Sequence, residues 1–125
     1  MSGKRFLLDT NAIIAMLKGN DNINSLLSDA EWIGISIISR LEFLSFSAVS
    51  EQDIELFESF MNRISVVDLA DSDENLMQTI INLRQISNFK LPDAIIAGSA
   101  LSNDAQLVTQ DKQLLNNSSV DCICF

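Results

Sequence analysis

The sequence contains no histidine and no tyrosine. Without histidine there is no Ser-His-Asp or Cys-His catalysis and no His-based zinc site. With no Tyr and one Trp, an aromatic platform for stacking bases is not indicated. Only two cysteines occur, Cys122 and Cys124, in a C-x-C pair within a terminal apolar stretch. Two thiolates do not make a four-ligand site, and the pair reads as small buried hydrophobes in a reducing compartment. Long apolar runs are also missing; none approaches the ~20 residues of a membrane span. The basic start, Met1 to Arg5, leads into an apolar stretch broken at Asp9, too early for a signal peptide. The expected location is therefore cytoplasmic. Positive charge is scarce: eight Lys and Arg face seventeen Asp and Glu, a net charge of −9. This argues against a protein that holds nucleic acid by bulk electrostatics. It leaves room for a nuclease that concentrates acids at a metal site and relies on local basic residues or a partner.

What is present is a chain of 125 residues, 47% hydrophobic, long enough for one domain spanning 1–125. Arg5 to Leu8 reads as a short strand ending in Asp9-Thr10-Asn11, with a helix (Ile13, Ile14, Met16, Leu17) stopped at Gly19-Asn20. Asp21 to Ala30 reads as a second helix, and Trp32 to Ile38 as a central strand. Ser39-Arg40-Leu41-Glu42 matches a capping box and opens an apolar helix. Glu51 to Arg63 is an amphipathic helix with a solvated acidic face. Ser65 to Leu69 is a strand, and Asp71-Ser72-Asp73 starts a helix. Pro92 opens another helix, its missing N–H costing nothing in the first turn. Gln106 to Thr109 is a strand, and Val120 to Phe125 an edge strand. The order β-α-α-β-α-α-β-α-α-β-β predicts an α/β fold, a parallel sheet with helices on both faces.

Four carboxylates follow one rule. Asp9, Glu42 and Asp111 each come just after an apolar strand, and Asp93 opens a buried helix. Each has an ordinary structural explanation: an N-cap for Asp9, a capping box for Glu42, a first-turn acid for Asp93. In a doubly wound sheet, however, all four positions converge at the carboxyl edge. At ~4 Å and an effective dielectric near 20, each like-charge pair costs on the order of 4 kcal/mol. Such a cluster persists only if protons or cations offset it. Oxygen ligands without histidine favour Mg²⁺ or Mn²⁺, an ion that activates water and steadies charge on phosphorus.

The segments Leu7-Leu8-Asp9-Thr10-Asn11, Ser39-Arg40-Leu41-Glu42-Phe43, Leu91-Pro92-Asp93-Ala94-Ile95-Ile96-Ala97 and Leu107-Val108-Thr109-Gln110-Asp111, in this order, carry a resemblance. The chain resembles the PIN-domain ribonucleases, and among them the VapC-type toxins of type II toxin–antitoxin pairs. The resemblance implies a three-layer α/β/α PIN-like domain with a parallel sheet of order 3-2-1-4-5. It implies a metal-dependent single-strand endoribonuclease that hydrolyses RNA phosphodiesters with metal-activated water, leaving a 5′-phosphate and a 3′-hydroxyl. It also implies a homodimer held by a cognate antitoxin. Asp9, Glu42, Asp93 and Asp111 match the family's acidic quartet as catalytic and metal-binding residues, with Asp9 and Asp93 foremost and Asp111 acting through water. Asn11 and Thr109 match its polar supporting residues, and Thr10 and Ser39 are candidates beside them. Lys4, Arg5, Arg40, Lys90 and Lys112 flank the motifs as candidates for contact with the RNA backbone. Leu114, Gly98 and the Asn88-Phe89-Lys90 stretch depart from the family's usual residues and leave the quartet intact.

Two rivals share parts of this pattern. A phosphoacceptor receiver domain has the length, acidity and Mg²⁺, but needs an acid pair after the first strand and a lysine after the last. Here Asp9 precedes Thr10-Asn11, and the chain ends Cys122-Ile123-Cys124-Phe125. A haloacid-dehalogenase-like phosphatase wants an acid where Asn11 stands. A third reading keeps the PIN-like fold as a binding module that does not cleave.

Overall fold

A computed structural model describes residues 3–125; the Met1-Ser2 start of the basic N-terminal stretch lies outside them. Five strands, β1 (Lys4–Leu8), β2 (Ala30–Ser36), β3 (Ser65–Val67), β4 (Gln106–Val108) and β5 (Cys122–Ile123), form one sheet in the order β3-β2-β1-β4-β5. All four pairings are parallel. The order matches the expected 3-2-1-4-5 and differs from the 2-1-3-4-5 of receiver domains. Helices α1 (Thr10–Leu17), α2 (Asp21–Leu27), α3 (Ile37–Ser45), α4 (Glu51–Met61), α5 (Glu74–Ile86), α6 (Leu91–Ser102) and α7 (Lys112–Leu115) make the crossovers.

The pleat of β1 divides the interior in two, because successive side chains point to opposite faces. Phe6 and Leu8 enter a core with Ala12, Ile13, Ile23, Ile35, Phe43, Phe57 and Val108. Leu7 enters the other, with Leu76, Ile80, Leu83, Ile96, Leu107 and Leu114. The buried part of β1, Phe6 to Leu8, is apolar on both faces, so the next polar position, Asp9, marks the carboxyl edge. On α6, Ala94 to Ala100 are all buried, the many-sided burial that its apolar sequence predicts.

Three local readings need correction. The second strand ends at Ser36, not Ile38: Ser36 Oγ accepts a hydrogen bond from Ile38 N at 3.1 Å and N-caps α3. Ser39-x-x-Glu42 is therefore interior helix and not a capping box, which leaves Glu42 free of that duty. A single helical turn, α7, lies between the last two strands where none was expected. These strands are parallel, so they cannot be joined by a tight hairpin and need a crossover. Finally, Cys124 is exposed and Cys122 only half-buried. Cys122 and Ile123 pack against opposite cores, and Cys124 lies past the end of β5.

Phe57 of α4 is fully buried and stacks on Phe43 of α3, ring centroids 4.3 Å apart and planes 19° from parallel. This contact buttresses the helix that carries Glu42. Phe57→Ala is expected to lower unfolding free energy by about 3–5 kcal/mol, read from urea denaturation; a loss below ~1 kcal/mol would mean α4 does not support that face.

Candidate functional site

Each of the four acids is delivered by a different junction, and all the junctions lie at the carboxyl edge. Asp9 follows β1 and N-caps α1. Glu42 sits in α3, the helix that leaves β2. Asp93 lies in the first turn of α6, behind Pro92. Asp111 follows β4 and N-caps α7, its Oδ1 accepting from Gln113 N at 2.9 Å. Burial grades outward: Asp9 is 7% exposed, Asp93 and Asp111 are half-buried, and Glu42 is exposed.

Asp9 is the anchor. Its Oδ2 accepts from the Thr109 hydroxyl at 2.7 Å and from Asn11 Nδ2 at 3.5 Å. Its Oδ1 accepts from Thr10 N at 2.8 Å. The Thr109 hydroxyl also accepts from Asp111 N at 3.0 Å, and Asn11 Oδ1 accepts from Gln110 N at 3.2 Å. These bonds lock the end of β1 to the turn after β4. Thr10 Oγ1 donates to Glu42 Oε1 at 2.9 Å and ties the third strand end in. Of the expected supporting residues, Thr109, Asn11 and Thr10 thus touch the quartet. Ser39 does not: its hydroxyl is fully buried and has no hydrogen-bond partner. Gln110 joins the network through its backbone N–H, a role no residue pattern announces.

The acids feel one another. Burial pushes the Asp9 carboxyl above its ordinary value; the Thr109 and Thr10 hydrogen bonds pull back, and the charges of Glu42 and Asp93 push up again. Burial also raises Asp93, aided by Asp111 and Glu42 and opposed by Lys90. Among the described residues, though, no three acid or thiol side chains converge tightly enough to enclose a metal ion. Hydrogen bonds from the Thr109 and Thr10 hydroxyls and from Gln113 N fix where Asp9, Glu42 and Asp111 sit. The donor set is entirely oxygen and suits Mg²⁺ or Mn²⁺, which bind few carboxylates and keep several waters; it does not suit zinc.

Of the basic candidates, Lys90 stands by Asp93 and its charge lowers that carboxyl. Arg5 is turned to other work. Its guanidinium lies 4.7 Å from the centre of the Trp32 ring, and its Nε donates to Asn103 O at 2.9 Å. It sits near the start of β1, about 13 Å along the strand from Asp9. The Cys122 thiol is pushed up to about 11, mainly by burial, so it stays protonated and a poor nucleophile.

The raised Asp93 carboxyl has a signed consequence. A carboxyl raised on folding favours the native state while protonated, below the ordinary value of 3.8, and loses that contribution as pH climbs through the raised value. Asp93→Asn removes the penalty. In EDTA it should melt higher than the unsubstituted protein at pH 7, with the gain shrinking toward pH 3.5; an equal or lower melting temperature at pH 7 contradicts the coupling.

The family model of the PIN domain matches residues 6–118. Among curated proteins there is no significant match. Among solved structures, a chain of a toxin–antitoxin complex from Klebsiella pneumoniae superposes with a TM-score of 0.74 at 23% identity, over 91% of this chain and 93% of that one. A chain of VapBC2 from Rickettsia felis, crystallised with a DNA fragment from its promoter, gives 0.73 at 23%, over 97% and 98%. A chain of FitAcB from Neisseria gonorrhoeae gives 0.66 at 19%, over 96% of each. The sheet order, the acids at its carboxyl edge and the match over nearly the whole chain agree: the chain belongs to the PIN domain family.

Proposed function

We propose that the chain is a VapC-type toxin, a Mg²⁺- or Mn²⁺-dependent endoribonuclease that hydrolyses single-stranded RNA. The observation that carries this reading is the electrostatic coupling of Asp9, Glu42, Asp93 and Asp111, delivered from four separate segments to one sheet edge. Asp9 and Asp93 are the first ligands for the ion, Glu42 joins them, and Asp111 acts through water. When bound, the ion supplies Lewis acidity: it lowers the pKa of a water and stabilises charge developing on phosphorus. The chain's own groups do the rest. Thr109 and Thr10 aim Asp9, and their hydrogen bonds favour its charged form against the cost of burial. Asp111 has one oxygen engaged in capping α7 and the other left for a water proton. The N-termini of α1 and α6 meet at this edge, and their positive ends favour a phosphate. Lys90 adds a local cation beside Asp93. A water attacking in line leaves a 5′-phosphate and a 3′-hydroxyl.

The partner reading has its own support. The neighbours named above include toxin–antitoxin complexes. Leu41, Phe46, Ile86 and Leu91 are 45–70% exposed and are the apolar side chains a partner could cover. A cognate antitoxin and a second copy of the chain are the proposed occupants. No helix among the described residues is long and apolar enough to cross a membrane, and a cytoplasmic location is part of the proposal.

Purified protein should cut single-stranded RNA with Mg²⁺ or Mn²⁺ and not in EDTA. Asp9→Asn should abolish cleavage while keeping the circular dichroism spectrum, and Glu58→Gln, on the exposed face of α4, should leave it unchanged. Cleavage that survives Asp9→Asn sinks the mechanism. Metal binding without cleavage of any single-stranded RNA favours a binding module.

A further inference from the structure

Glu42 is the anomalous member of the quartet. It sits inside a helix instead of at a strand end or a helix start, it is exposed, and Asp9 and Asp93 both feel its charge. Left alone, a glutamate in that place would swing outward, away from the other carboxylates. Its own helix does not restrain it, because α3 is capped by Ser36. The restraint comes from Thr10, whose hydroxyl donates to Glu42 Oε1 at 2.9 Å.

Thr10 is well placed for this. It is 9% exposed and is the first residue of α1, where a β-branched side chain has few rotamers. Its backbone N–H donates to Asp9 Oδ1 at 2.8 Å. One residue thus bonds two carboxylates that arrive on different segments, Asp9 after β1 and Glu42 within α3. The two bonds use different groups of Thr10, so removing the hydroxyl releases Glu42 and spares Asp9. Donation to Oε1 leaves Oε2 open.

We infer that Thr10 is a positioning residue: by bonding Asp9 through its N–H and Glu42 through its hydroxyl, it holds Glu42 beside the carboxylates that would bind the divalent ion. This rests on the metal-dependent reading proposed above. Hydrogen-bond partners of ligating groups commonly contribute about 10- to 100-fold in metal affinity, and the effect here is expected in that range. It should appear in the amount of metal required more than in the rate at saturation, because the proposed roles of Asp9, Asp93 and Asp111 are left in place.

The test is Mn²⁺ binding by the whole chain, followed by electron paramagnetic resonance of free Mn²⁺, with cleavage against Mn²⁺ concentration in parallel. Thr10→Val keeps the shape and the N–H and removes the hydroxyl; Thr10→Ala serves if valine does not fold. Either should weaken Mn²⁺ binding about 10- to 100-fold, shift the cleavage midpoint equally and recover most of the rate at high Mn²⁺. Thr10→Ser should restore binding. Adding Glu42→Gln to Thr10→Val should cost little more, since a Glu42 released by loss of the hydroxyl has already lost most of its hold on the ion. Unchanged Mn²⁺ affinity in both hydroxyl-free variants, or fully additive losses with Glu42→Gln, overturns the assignment to Thr10 alone, provided binding in the unsubstituted protein depends on Asp9. If that binding is absent or survives Asp9→Asn, both this inference and the metal-dependent reading fall.

Discussion

Gathering like charges at one end of a sheet opposes folding, and the hydroxyl of Thr109 is what makes it tolerable here. It donates to the buried Asp9 carboxylate at 2.7 Å and accepts from Asp111 N at 3.0 Å. A hydrogen bond to a charged group is worth about 1.5–3 kcal/mol. Two unit charges at roughly 8 Å, in an effective dielectric near 20, repel by about 2 kcal/mol. The two magnitudes are comparable. A few such bonds therefore hold several acids at one edge, provided the acids stay somewhat apart. The geometry follows that condition: the carboxylates influence one another without closing into a tight ligand shell.

The same bonds serve the fold. Parallel strands close their crossovers at the carboxyl edge, where backbone leaves the ladder and needs new partners. Asp9 and Asp111 each cap a helix as that happens. Asn11 Oδ1 accepts from Gln110 N and ties the turn after β1 to the turn after β4. The structural and chemical roles of Asp9 do not compete, because each carboxylate oxygen carries two acceptor sites. An N-cap can also be a ligand.

How much of this was visible in the residues depends on range. Phe6-Leu7-Leu8 before Asp9, and Pro92-Asp93 before a wholly apolar helix, are local signals, and the structure bears out their elements. The strand-to-helix step at Ser36 was misplaced because Ser36 and Ser39 both precede apolar positions, and serine spacing cannot rank two caps. The single turn of α7 is too short for any period. The Cys pair was read from composition, but exposure of Cys124 depends on where β5 stops. The bond from Thr10 to Glu42 spans 32 residues, and Thr109 to Asp9 spans 100. Contacts of that range are properties of the sheet order. That order is what the resemblance to the PIN-domain family implies, and the sheet has it.

The outward gradient of burial gives the quartet a division of labour. Asp9 is enclosed, bonded through both oxygens and shielded from water, so its position varies little. Glu42 and Asp111 stand nearer the surface, where water screens their charge and side chains can adjust. A site with one fixed acid and several adjustable ones can admit a hydrated ion without rebuilding its backbone. On the proposed reading, a divalent ion would meet one fixed acid and outer carboxylates whose partners, the Thr10 hydroxyl for Glu42 and Gln113 N for Asp111, set where they rest.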